Sequence, residues 1–352
     1  TTGAIQNHNL TVSGGTDRIR YRLSGSFSKE DGPLITNKDM FERKTINGFI
    51  AADVLKWYTQ EANISYTNSD LSKPEVVGNM YPYYTTRLIN YYPEGDMPGK
   101  ILGTNENLPS QTPSNMIRLA PVSHEEKSVP RISLRSIFKL LPGWIITGEY
   151  TYNRTDTHYQ FYSDRFRFAD VQLAAKNSTE KGQDFYRMYD TTAKYNALNV
   201  FSNYEHAWGN HAFKAMLGFN QEEYYYRYFY GNVLAQATPS VPSFEGGTGE
   251  KKIIDKYSEY AIRSGFARFN YVYADKYLFE LNGRYDGSSK FPKDNRFGFF
   301  PSVSAGWRLG QEKFMSMSKS WLDDLKLRVS YGTVGNQRID PYQFTPTMSV
   351  NS

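Results

Sequence analysis

The chain of 352 residues has no cysteine, which excludes a disulfide frame and any thiolate metal site. It also lacks a run approaching the roughly 20 apolar residues that a membrane-spanning helix needs. That absence leaves a membrane barrel open, because barrel strands span with about ten alternating residues. Apolar residues make up only 39% of the chain, below the usual range for a globular core. Charge of one sign is missing too. Forty-one basic residues are scattered among 36 acidic ones for a net +5, without the dense patch that nucleic acid requires.

The chemistry of catalysis is equally sparse. The histidines are His8, His124, His158, His206 and His211, and none has a carboxylate at zinc-enzyme spacing. Residues 246–251 read GGTGEK, yet they lack the spacing of a phosphate loop and the Ser/Thr after its lysine, and are read as a flexible loop. Glu125-Glu126 and Glu222-Glu223 would point to opposite faces of an extended chain and form no acid pair. No nucleophile elbow is present. The expectation is a non-enzyme with no catalytic residue, no metal and no cofactor.

What the chain has in abundance is Tyr (29) and Phe (22), residues suited to strands and to apolar–water boundaries. They recur with period two. Phe279, Leu281 and Tyr285 oppose Glu280, Asn282, Arg284 and Asp286. Val303, Ala305 and Trp307 oppose Ser302, Ser304 and Arg308, and Leu325, Leu327, Val329 and Tyr331 oppose Lys326, Arg328 and Ser330. Earlier, Ile19, Tyr21, Leu23 and Phe27 oppose Arg18, Arg20, Arg22, Ser24 and Ser26. Such alternation marks strands with two different environments.

About twelve strands are expected, the first near 9–13 and the last near 325–332. Short turns at 14–17, 55–56, 141–143, 208–210 and 274–276 alternate with long connections, including irregular stretches over 71–127 and 160–190. A helical turn is expected within Glu312 to Trp321. All five tryptophans, Trp57, Trp144, Trp208, Trp307 and Trp321, lie beside or within the short connections. In an up-and-down topology these share one end, which is the arrangement of an aromatic girdle at a membrane interface. The fold expected is therefore all-β: a transmembrane antiparallel up-and-down β-barrel with short periplasmic turns and long extracellular loops.

Three ordered motifs then resemble one family. Residues 7–15 (NHNLTVSGG), then 286–291 (DGSSKF) with 295–298 (NRFG) and 300–308 (FPSVSAGWR), then 325–332 (LKLRVSYG) with 335–337 (GNQ) are similar to the SusC/RagA-type TonB-dependent outer-membrane transporters. The resemblance implies a 22-stranded barrel holding an N-terminal plug in a Gram-negative outer membrane. It implies import of oligosaccharides or peptides, energy from the TonB complex, and a SusD-like surface lipoprotein as partner. Residues 1–352 are expected to be the central barrel part, with plug, TonB box and signal peptide outside this chain. An adhesin or secretion channel, a barrel enzyme, and a soluble β-sandwich are the competing classes.

Within that frame Arg18, Arg20, Arg22, Lys326 and Arg328 are expected to face the lumen, against a plug or an anionic substrate. Tyr81, Tyr83, Tyr84, Tyr91 and Tyr92 cluster in one long connection and are the candidate ligand contacts. Asp286-Gly287 is expected to start a tight reversal, and Pro301 to sit near the start of the next strand, where no ladder bond is needed.

Overall fold

The computed structural model describes residues 3–34, 36, 38–75, 98–100, 106–110, 113–169, 174–178, 184–238, 240–315, 322 and 324–343. Twelve strands among them form one antiparallel sheet. The first four are β1 (Ala4–Gly15), β2 (Ile19–Asp31), β3 (Met40–Leu55) and β4 (Tyr58–Pro74). Two short strands, β5 (Pro98–Lys100) and β6 (Asn107–Pro109), and a helix α1 (Pro113–Leu119) precede β7 (Val122–Leu141) and β8 (Trp144–Ser163). The hairpin β9 (Phe166–Ala169) and β10 (Ala175–Ser178) leads to β11 (Phe185–Trp208), β12 (His211–Leu234) and β13 (Lys251–Tyr273). The sheet ends with β14 (Tyr277–Ser288), β15 (Phe297–Arg308) and β16 (Lys326–Gly332). Every pairing joins neighbours in chain order once the two small hairpins are set aside. No helix among the described residues is long and apolar enough to cross a membrane.

Register carries the alternation from strand to strand. Ile50, Ala62, Leu134, Tyr150 and Leu198 stand directly opposite one another across β3, β4, β7, β8 and β11. Phe213, Tyr271, Phe279, Ala305 and Val329 do the same from β12 to β16. This apolar face stays in the open: Leu217 is 68% exposed and Val329 74%. One residue along, the polar face carries its own rows, such as Glu61, Arg135, Glu149, Asn199, Asn220 and Ser264. Side chains there are mostly half-buried, as on the concave side of a sheet that curls as it twists.

All the tight turns fall at one end. The turn before Trp144 is closed by Pro142 and by Gly143 at a φ of 79°, the value a type II turn needs at its third residue. The flanking ladder slips between Lys139 and Leu141 to accommodate it. Gly209, at 54°, takes the first central position of the Trp208–His211 turn, where glycine is favoured.

Several expectations need correction. The first strand is longer than 9–13, and Arg18 sits in the turn ahead of β2 rather than within it. The connections over 71–127 and 160–190 are shorter, because β4, β7, β8 and β11 all run further. They also hold regular structure, namely the two small hairpins and α1. Residues 309–311 and 313–315 form single 3-10 turns, and residues 316–321 lie outside the described set. Residues 246–251 fold back on β12 through Thr248 N to Ala235 O and Gly249 N to Leu234 O, both 2.9 Å. Asp286-Gly287 is not a reversal: both belong to β14, and Gly287 pairs with Phe297. A side chain at Gly287 would meet the Phe297 ring, so this glycine serves close aromatic packing instead of a turn. Pro301 lies five residues into β15, one residue before its ladder with β16 begins at Ser302.

The tight-turn end is bound together by a carboxylate. Glu312 accepts from Lys276 Nζ (2.9 Å), Tyr277 Oη (2.8 Å) and Trp307 Nε1 (3.2 Å). These donors hold its pKa down to about 2, from an ordinary 4.5. A carboxyl whose folded pKa is depressed stabilises the fold above its unfolded value and loses that contribution as pH falls through the folded one. Acid titration of the full-length protein, followed by Trp fluorescence, should show a transition between about pH 4.5 and 2 that is missing in Glu312→Gln. An identical titration in the variant would show that the carboxylate stabilises nothing.

Candidate functional site

The polar face is the only large surface of the sheet with convergent chemistry among the described residues. Near the tight turns it is a charge lattice. Arg135 reaches Glu149 on one neighbouring strand (3.1 Å) and Glu61 on the other (3.7 Å). Arg20 and Arg22 of β2, and Lys326 and Arg328 of β16, lie on this same face by register. Arg328 Nη2 donates to Ser304 Oγ at 3.4 Å.

Toward the long loops the face changes character and becomes tyrosine. Four successive inward positions of β12 are Tyr224, Tyr226, Tyr228 and Tyr230. Opposite them on β11 stand Tyr195, Ala193, Thr191 and Tyr189. Tyr159 of β8 pairs with Tyr189, and Tyr260 of β13 with Tyr224. The rings stack on one another: Tyr159 on Tyr189 at 4.5 Å and 7°, Tyr224 on Tyr260 at 5.2 Å and 27°. Tyr189 Oη donates to Glu125 Oε2 at 2.6 Å. Tyr159 is buried, and the other seven tyrosines are half-buried.

Charge frames this field. Lys127 of β7 and Lys256 of β13 belong to one cross-strand row with Thr157, Thr191 and Tyr228. Arg131 belongs to the row of Asn153, Tyr195, Tyr224 and Tyr260. Lys290 Nζ stands 4.4 Å from the centre of the Tyr260 ring.

Above the field the connections make a small layer of their own. Phe185 (1% exposed) and Phe161 (4%) are sealed with Tyr159, Tyr189 and Leu234. Met116 of α1 packs on Phe168 of β9, with Leu119 and Phe166 beside them. Lys38, in the β2–β3 connection, donates to the Arg118 and Ala120 carbonyls at 2.6 and 2.8 Å. A cation at the end of a helix satisfies carbonyls that have no intrahelical partner, and its burial there lowers the Lys38 pKa.

The tryptophans stand at the tight-turn end. Trp57 stacks on Phe138 at 6.2 Å, and Trp144 Nε1 donates to Ser202 Oγ at 2.8 Å. Trp208 stacks between His206 and His211, and Trp307 stacks on Tyr277. Trp321 lies outside the described residues, as do Tyr81, Tyr83, Tyr84, Tyr91 and Tyr92. The tyrosine field was not among the expected contacts. Counting parity upward from Phe213 to Phe219 through residues 222–230 would have found it.

An exposed apolar face continuous over twelve strands is the surface that a bilayer covers. The fold is the wall of a transmembrane β-barrel, open here at both edges. Residues 58–351 match the family described as TonB dependent receptor-like, beta-barrel, and the chain belongs to that family of outer-membrane proteins. Its relatives include the TonB-dependent receptor SusC of Bacteroides thetaiotaomicron, 26% identical over 100% of this chain and 36% of SusC. The TonB-dependent receptor P26 of Formosa agariphila is 52% identical over 25% of this chain and 9% of its own length. The chain thus spans about a third or less of the curated relatives it matches. Among solved structures, the RagAB peptide importer in its open-open state superposes with a TM-score of 0.79 at 17% identity, covering 98% of this chain and 38% of that one. The ferric citrate transporter FecA matches at 0.52. Those structures establish the fold.

Proposed function

We propose that this chain forms part of the barrel wall of an active importer that draws oligosaccharides or peptides through the Gram-negative outer membrane. Energy comes from the TonB complex, and a SusD-like surface lipoprotein delivers the substrate. The observation that carries this reading is the concave polar face, a surface lined by ion pairs and tyrosines. Likeness to SusC and to a peptide importer supports it.

In this reading Arg18, Arg20, Arg22, Lys326 and Arg328 hold the plug. Their position low on the wall, below the tyrosines, suits a seat more than a capture surface. Uptake of labelled oligosaccharide and peptide pools should require both the full-length gene and TonB, and uptake unaffected by TonB loss would refute active import. Arg20→Glu in the full-length protein should make the plug more protease-sensitive and slow uptake severalfold, by placing like charge against an acidic partner. Unchanged proteolysis and uptake would remove Arg20 from the seat.

A further inference from the structure

We infer that the tyrosine field on the concave face is a binding platform for an anionic oligosaccharide, one that carries carboxylate or sulfate groups. The inference rests on the import reading and narrows its substrate class. The platform is five strands wide and four cross-strand rows high, which is about 19 Å by 20 Å at ordinary strand spacings. Seven half-buried tyrosines occupy its middle, with Tyr159 buried at its upper edge. A phenol ring offers an apolar face and a polar tip at little rotamer cost, matching a pyranose, which has an apolar C–H face and a rim of hydroxyls.

Charge decides between ligand classes. Lys127 and Arg131 stand on one margin, Lys256 and Lys290 on the other. None of the four forms an ion pair among the described residues. Two acids share the field: Glu125, which accepts from Tyr189, and Glu222, in the row of Ala197. The four cations outnumber them and sit at both ends of the aromatic field, so its balance is positive. An extended chain of acidic sugars laid across β7 to β13 would place rings on the tyrosines and charges at each margin. A peptide fits less well. Peptides commonly bind a sheet by adding to a free edge, and β8, β11, β12 and β13 are each paired on both sides. The wall offers no main-chain donors.

The test uses the full-length receptor in detergent and three hexasaccharides of equal length: neutral maltohexaose, hexagalacturonate, and a sulfated galactan hexamer. A fourth probe is hexaglutamate. Calorimetry should show at least one acidic sugar binding about tenfold or more tighter than maltohexaose, an advantage that shrinks as salt rises. The pair Lys127→Gln and Lys256→Gln should remove that advantage, weakening the acidic sugars about tenfold more than maltohexaose. Tyr226→Ala with Tyr228→Ala should weaken every sugar, while Tyr225→Ala on the opposite face should not. If the alanine pair fails to assemble, Tyr226→Phe with Tyr228→Phe keeps the rings and should cost severalfold through lost hydroxyls alone.

Equal affinity for neutral and acidic sugars overturns the proposal, as does acidic-sugar binding indifferent to the lysine pair. Preference for hexaglutamate on the same residues does so as well, in favour of an acidic peptide. Binding by the isolated receptor needs no TonB, so the two readings fail separately. Acidic-sugar binding without TonB-dependent uptake sinks import and leaves the platform standing. TonB-dependent uptake of neutral sugars alone does the reverse.

Discussion

Val200→Arg should cost the assembled barrel about 2–4 kcal/mol, the penalty for a cation near the bilayer midplane. Val200 lies mid-way along the apolar face of β11, with Leu198 and Ser202 to either side and Gly148 and Phe219 opposite. Its position is 41% exposed. One residue earlier, Asn199 points to the polar face and stands opposite Glu149. Asn199→Arg should therefore change stability by no more than about 1 kcal/mol, since a new half-exposed ion pair offsets the lost amide contact with Asn220. Urea titration of each full-length variant in lipid vesicles measures the difference. Equal losses for the two would mean that the faces are not environmentally distinct, and the membrane assignment of the apolar side would fall.

The second large effect is expected at the Pro142-Gly143 turn. A side chain at Gly143 must hold a φ of 79°, which costs an L-residue about 1–2 kcal/mol. It would also run into the carbonyl oxygen of Glu205 on the adjoining strand. That strand is bonded to the turn through Glu205 N and Gly143 O at 2.9 Å, a bond worth about 1 kcal/mol net. Gly143→Val should thus lose about 3 kcal/mol or more and slow assembly. Gly209 isolates the backbone part, since its φ is 54° and a Cβ there meets nothing within 4 Å. Gly209→Ala should lose only about 1–2 kcal/mol. Matched losses at the two glycines would show that the Glu205 contact is relieved at no cost.

These contrasts depend on knowing which way each side chain points, and much of that was readable. Wherever one face was apolar, alternation gave both the strand and its parity, as in 19–27, 279–286 and 302–308. The alternation of short and long connections gave the common end of the turns, where Trp57, Trp144, Trp208 and Trp307 stand. Legibility failed where the two faces stopped differing. Glu125, Glu126 and Lys127 are polar on both sides, so β7 seemed to begin later than it does. Residues 222–230 read EEYYYRYFY, aromatic or charged on both faces, so composition could not separate the inward tyrosines from Tyr225 and Phe229. Only the parity carried up from Phe213–Phe219 separates them, because β12 runs on through this segment without a register shift. Asp286-Gly287 misled for a local reason. The dipeptide suits a reversal, yet the aromatic ring of Phe297 needed the space a glycine leaves.

The loop layer bears on how the molecule comes together. Its small apolar core joins α1, from the connection between β4 and β7, to β9, from the connection between β8 and β11. The hairpin of β7 and β8 separates these two stretches of chain. Neither stretch alone can bury Met116 and Phe168, so their contact has to wait until both connections stand on the same side of the sheet. Strand pairing proceeds between chain neighbours, across closures that run from tight turns to the connections between Pro74 and Val122 and between Ser163 and Phe185. This contact, by contrast, needs both of those long connections to be closed first. The canopy over the tyrosines is therefore a late event in folding, completed after the wall it covers.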